Sequence, residues 1–207
     1  MLAEIANEKG ISLCGIAPGQ TEANLKGTPF KRMVPTDAIL LTADLAVRAS
    51  LTSLDLSNNQ LCGLNIRGDG TFTAEGITAL AEALKVAASV TECNVCFNKL
   101  DAESATLLAK VAREKHIMLF GTKHDQIKAD FCGQQLDSVD AILIASDLSV
   151  SASLTFFDVT LNGIGEEEVK LFRDALRGRP EVYLRWMDND DDHMDESDDY
   201  SDDDGRL

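Results

Sequence analysis

The stretch "LTSLDLSNNQ", Leu51 to Gln60, constrains the fold more than any other part of this 207-residue chain. Its pattern is Leu-x-x-Leu-x-Leu-x-x-Asn. The leucines are spaced three and then two apart, which suits neither a helical stripe nor a simple two-faced strand. Leu54 and Leu56 share one face of a short extended segment, and Asn59 follows where the chain must turn. A strand this short cannot bury its apolar side alone, so the pattern has to recur.

It does recur. "VTECNVCFN" begins at Val90 and "LTFFDVTLN" at Leu154, with weaker copies "QTEANLKG" at Gln20, "QIKADFCG" at Gln126 and "EVYLRW" at Glu181. Aligning Thr21, Thr52, Thr91, Ile127, Thr155 and Val182 gives spacings of 31, 39, 36, 28 and 27 residues. The two shortest set the basic period. The glycine-rich "CGLNIRGDG" (62–70) and "IMLFGTKHD" (117–125) then read as inserted loops. A larger echo overlies the small one. "LAEIANEKGISLCG" from Leu2 matches "LAKVAREKHIMLFG" from Leu108, and "DAILLTADLAVRASLT" from Asp37 matches "DAILIASDLSVSASLT" from Asp140. Several units have been duplicated as a block.

Between the strand segments the apolar spacing becomes helical. In "TAEGITALAEALKVA", Ile77, Leu80, Ala81 and Leu84 form one stripe. Asp101 is placed to cap the helix of "DAESATLLAKVARE". "GEEEVKLFRDALRGR" puts Glu166 to Glu168 at the positive end of a helix dipole, and Arg177 and Arg179 at the negative end.

One strand and one helix per unit, with Asn59, Asn98 and Asn162 after the three clearest strands, resembles the leucine-rich repeat. Units of about 28 residues with a full helix are similar to the ribonuclease-inhibitor type. The resemblance covers Leu2 to Trp186 and implies an α/β solenoid, a horseshoe with parallel strands on its concave face and helices outside. The asparagines would bond backbone groups at successive turns, with irregular turns where Gly27 and Gly133 stand instead. The chain then divides into an array of about six strand units over 1–187, starting in mid-unit, and an acidic disordered tail over 188–207. The mid-unit start implies either a piece of a longer array or an N-terminal edge covered by another chain. Trp186 would help seal the opposite edge.

The concave face implied by this register carries a central column of Asn24, Asp55, Asn94, Asp130, Asp158 and Arg185. One flanking column reads Glu22, Ser53, Glu92, Lys128, Phe156 and Tyr183; the other reads Lys26, Ser57, Cys96, Cys132, Thr160 and Met187. The face is acidic at its centre, with Phe156 and Tyr183 as apolar anchors. The expected function is a protein-interaction scaffold for a basic or mixed protein partner. An array of this type with an acidic tail also resembles the Ran GTPase-activating proteins, although no Arg or Asn here matches their functional positions in a shared motif.

Charge and cysteine content narrow the other classes. The net charge is −16, of which eleven acidic residues and Arg206 place −10 after Met187 and leave −6 for the body. No basic stripe exists to neutralise nucleic-acid phosphates. No apolar run approaches the roughly 20 residues that span a bilayer. Five cysteines without a small-scaffold pattern indicate a reducing compartment, the cytoplasm or alternatively the nucleus. Cys93-Asn-Val-Cys96 is formally C-x-x-C, but on a strand its sulfurs point to opposite faces. Cys96 and Cys132 fall side by side in the alignment, about one strand spacing of 4.8 Å apart, where a disulfide is geometrically allowed. His116, His124 and His193 have no ligand spacing. No nucleophile elbow or phosphate loop occurs. No enzymatic activity, cofactor or metal is expected.

Overall fold

The computed structural model describes Ile5, Lys9 and residues 11–186. The acidic segment after Met187 and most of the opening half-unit lie outside the described residues. Strands and helices alternate along the chain. They are β1 (Glu22–Asn24), α1 (Pro35–Val47), β2 (Ser53–Asp55), α2 (Glu75–Val86), β3 (Glu92–Asn94), α3 (Ala102–Lys115), β4 (Lys128–Asp130), α4 (Ser138–Val150), β5 (Phe156–Asp158), α5 (Glu166–Ala175) and β6 (Tyr183–Arg185). The strands form two parallel three-stranded sheets, β1-β2-β3 and β4-β5-β6. Each helix packs on the next, and the core lies between helices and strands. None of the described helices is long and apolar enough to cross a membrane.

Buried apolar side chains, backbone pairing and the turn asparagines tie each unit to the one before. Leu51, Leu54, Leu56 and Leu61 are fully buried, as are Cys93, Val95, Phe157 and Val159 at matching positions. The aligned residues just before each strand pair in register: Thr52 N–H donates to the Thr21 carbonyl at 2.8 Å, Thr91 to Thr52 at 2.9 Å, and Thr155 to Ile127 at 2.8 Å. The asparagines do as their spacing predicts. Asn59 Nδ2 donates to the carbonyls of Leu25 and Leu56, both at 2.9 Å, while its Oδ1 accepts from Met33 N–H at 2.8 Å. Asn98 does the same with Leu56, Val95 and Leu61, and Asn162 with Phe131, Val159 and Leu136. Gly27 is small because an added Cβ would lie 1.9 Å from the Asn58 carbonyl oxygen.

The duplicated blocks share a second device that the repeat pattern does not reveal. Asp44 on α1 accepts from Leu13 N–H (2.9 Å), Cys14 N–H (2.8 Å) and Ser12 Oγ (2.8 Å). Asp147 on α4 accepts from Leu119 N–H (2.6 Å), Phe120 N–H (2.9 Å) and Thr122 Oγ1 (2.6 Å). Each buried carboxylate thus pins two successive amides of the equivalent segment before β1 or β4, and the hydrogen bonds offset part of its desolvation cost.

This device corrects the reading of "IMLFGTKHD" as an inserted loop. Met118 bridges Glu92 in parallel, and the N–H groups of Cys93 and Val95 donate to the carbonyls of Met118 and Leu119. An extra rung therefore follows β3, β3 does not pair with β4, and Asn94 is not the neighbour of Asp130. Cys96 and Cys132 are likewise not on adjacent strands. Both are free thiols, Cys96 buried and Cys132 exposed, with Thr160 Oγ1 3.2 Å from the Cys132 sulfur.

Helix ends follow the sequence with one exception. Asp101 caps α3 by accepting from Ser104 N–H at 2.8 Å, and Asp137 caps α4. Glu168 reaches back to Gly165 N–H at 2.9 Å. Arg179, expected at the negative end of its own helix, instead donates to the carbonyls of Leu148 in the last turn of α4 and of Ser151 and Leu154 just beyond it. It satisfies the carbonyls left open at the end of the preceding unit's helix.

Burial pushes the Asp147 carboxyl up to about 6, against the hydrogen bonds from Thr122, Leu119 and Phe120; Asp140 is also raised to about 6, chiefly by burial. Between the ordinary value of 3.8 and about 6 the folded chain holds more protons than the unfolded one. Their contribution to stability is complete below 3.8 and is lost as pH rises through about 6. Urea unfolding at pH 4 and pH 7 should show that decline. In Asp147→Asn it should be shallower by on the order of 2–3 kcal/mol. Parallel curves for the two proteins would contradict this assignment.

Candidate functional site: the strand face

The residues of the central column all sit where the spacing places them, at the last position of each strand. Asn24, Asp55 and Asn94 are in register across the first sheet, and Asp130, Asp158 and Arg185 across the second. Their side chains have a structural task as well. Oδ1 of Asn24, Asp55, Asn94, Asp130 and Asp158 accepts from the N–H two residues on, belonging to Lys26, Ser57, Cys96, Cys132 and Thr160, at 2.9–3.1 Å. The strands stop after three residues because these short carboxylates and amides take over the next backbone donor. Five of the six positions are therefore Asp or Asn for a local reason before any ligand is considered.

The first sheet keeps an acidic surface beyond that task. Its outward residues are Glu22, Asn24, Ser53, Asp55, Glu92 and Asn94, with no Lys or Arg among them. Glu92 Oε2 accepts from Ser53 Oγ at 2.9 Å. Beside β2 and β3 lies a cleft of about 160 Å³, lined by Asp55, Glu92 and Asn94 and closed by Gly121 and Thr122 of the extra rung. Gly121 has φ +80°, and an added Cβ would sit 2.9 Å from Asn94 Nδ2. The sequence alone did not place Gly121 and Thr122 on this face. For Gly121 the signal was present in the echo of Leu2–Gly15 by Leu108–Gly121, which marks it as repeat rather than loop.

The second sheet differs. Phe156 and Tyr183 stack on adjacent strands with centroids 5.9 Å apart and planes at 17°. Tyr183 is 63% exposed. Asp158 is not on the open surface, being only 4% exposed. Its Oδ1 also accepts from Thr160 Oγ1 at 2.7 Å, and its Oδ2 pairs with Arg185 Nη1 at 3.3 Å. The other flanking column is corrected too. Ser57, Cys96 and Thr160 are buried, leaving Lys26 and Cys132 exposed, while Met187 lies outside the described residues.

Burial raises the thiols of Cys93 and Cys96 to about 12, so neither is a thiolate at neutral pH. His116 is exposed at the end of α3, and His124 Nε2 lies 2.9 Å from the His116 carbonyl it donates to. His193 lies outside the described residues. No group of three or more metal-ligating side chains occurs among the described residues.

Asp130 and Asp158 hold the same register position but differ in burial and partners. Asp158→Ala should cost about 2–3 kcal/mol in urea unfolding, because Thr160 and Arg185 lose a buried acceptor. Asp130→Ala should cost less than about 1 kcal/mol. Equal losses would show that burial does not divide this column. No protein-family model and no curated protein matches the chain.

Proposed function

We propose that this chain is a non-enzymatic protein-binding scaffold of the leucine-rich-repeat class, of the ribonuclease-inhibitor-like type, whose strand face holds its partner. The stacking of helix on helix and strand beside strand supports a horseshoe. Packed helices need about 8–10 Å per neighbour and paired strands about 4.8 Å. A layer of each, joined unit by unit, must bend with the strands inside.

The observation that carries the reading is the in-register outward face of β1, β2 and β3, with three carboxylates and no cation. A basic segment of a protein partner complements it, and its charge speeds encounter and selects against acidic competitors. Asn24, Asp55 and Asn94 contact that segment in the first sheet. In the second, the stacked Phe156 and Tyr183 anchor an apolar side chain, with Asp130 and Arg185 beside them and Asp158 holding Arg185 in place.

An affinity pull-down under reducing conditions tests this, with the full chain and a version ending at Met187 as baits. The partner should be retained by both baits and released by Asp55→Lys with Glu92→Lys. A partner lost on removal of residues 188–207 and indifferent to the face substitutions would overturn the reading.

A further inference from the structure

The two halves can be superposed residue by residue through their hydrogen bonds. Gln20 and Gln126 make the same turn, with side-chain oxygens accepting from Ala17 and Lys123 N–H. Leu25 and Phe131 N–H donate to the carbonyls of Asp55 and Asp158, and Gly27 and Gly133 N–H to those of Ser57 and Thr160. Met33 and Leu136 N–H donate to Oδ1 of Asn59 and Asn162. Five residues, Thr28 to Arg32, thus stand in the first half where Gln134 and Gln135 stand in the second.

Two equivalent positions carry different side chains in the two halves. In the second, Phe120 and Phe131 pack edge to face, with ring centroids 5.4 Å apart. In the first, the equivalent residues are Cys14 and Leu25. A pocket of about 480 Å³ opens there, and the inserted Lys31 and Arg32 join Lys26 on its wall. That volume lies within the range of small-molecule sites.

The wall carries three cations, Lys26, Lys31 and Arg32, against one carboxylate, Asp37. Lys26, Lys31 and Arg32 make no ion pair among the described residues. Arg32 Nη1 donates to the Asn58 carbonyl at 3.0 Å, which fixes the guanidinium at the rim. The one acidic residue on the wall, Asp37, has Oδ2 engaged by Val34 N–H at 2.9 Å. Asp44, behind Cys14, is 1% exposed and accepts three hydrogen bonds. The Cys14 thiol adds no charge, since burial, and after it the Asp44 and Asp37 carboxylates, push it up to about 11 against the pull of Lys31. Leu25 and Met33 supply an apolar side. Screening over about 8–10 Å keeps the chain's overall −16 from cancelling this local field.

We propose that the pocket of Cys14, Leu25, Lys26, Lys31, Arg32 and Met33 binds a small organic phosphate. The dianion meets the three cations, and the carbon body lies on Leu25 and Met33. The pocket meets the strand face at Asn24, but phosphate binding does not depend on the strand-face reading.

Calorimetric titration of the full chain with phenyl phosphate, inorganic phosphate, benzoate and phenol tests it. Phenyl phosphate should bind most tightly and phenol not at all. Lys31→Gln, an exposed substitution, should weaken phenyl phosphate about fivefold or more, the loss of roughly 1 kcal/mol of charge attraction. Cys14→Phe with Leu25→Phe copies the filling of the second half and should abolish binding while leaving the far-UV circular dichroism unchanged. No binding of phenyl phosphate by the wild type, equal binding of benzoate, or full binding by Lys31→Gln would each overturn the proposal. The lysine variant decides the matter even if the double phenylalanine variant fails to fold.

Discussion

Everything in this fold depends on what happens to the backbone groups at the turn after each strand. A three-residue strand in a parallel ladder leaves carbonyls and amides at its end with no strand partner, and burying them unpaired is costly. The side chains of Asn59, Asn98 and Asn162 meet that demand. Each joins its own turn to that of the preceding unit through one amide that donates twice and accepts once. Only an amide can do this, because the turn offers both carbonyls and an N–H. An aspartate would meet two carbonyls without a proton to offer, and a leucine would leave all three groups stranded.

With the turns secured, the remaining side chains fall into consistent roles. The leucine positions fill the layer between sheet and helices, and the last residue of each strand ends it by capping the backbone two residues on. The phenylalanines link the two halves. Phe97, Phe120, Phe131, Phe157 and Phe172 form a chain of ring contacts with centroids 5.3–6.4 Å apart. This chain passes the point where β3 and β4 fail to pair, so packing supplies the continuity that the hydrogen-bonded ladder lacks there. Where the second half has Phe120 and Phe131, the first has Cys14 and Leu25, which line the charged pocket.

Much of this was legible in the sequence, because leucine spacing and a turn asparagine report directly on burial and backbone satisfaction. The register across β1–β3 and across β4–β6 follows from aligning the threonines before each strand. What escaped was long range. The segment Ile117–Phe120 carries no asparagine and too little alternation to read as a rung. Its position is set by Asp147, 27 residues further along the chain from Phe120. Arg179 escaped for the same reason, since it serves carbonyls of the preceding unit 25 to 31 residues back. Asp158 is buried and bonded to Thr160 and Arg185, which column alternation cannot express. Periodicity reports which face a residue occupies but not what covers that face.

The most direct test of the account is the stability of Asn98→Ala, measured by urea unfolding beside Asn58→Ala in the neighbouring unit. Asn98 is 1% exposed and bonded to two successive turns, whereas Asn58 is half-buried with a positive φ. If the asparagine ladder holds the units together, Asn98→Ala loses about 2–4 kcal/mol and Asn58→Ala about 1 kcal/mol, from strained backbone alone. An Asn98→Ala protein within about 0.5 kcal/mol of the wild type would mean that the turn carbonyls are satisfied some other way. The ladder would then not be what holds the units together.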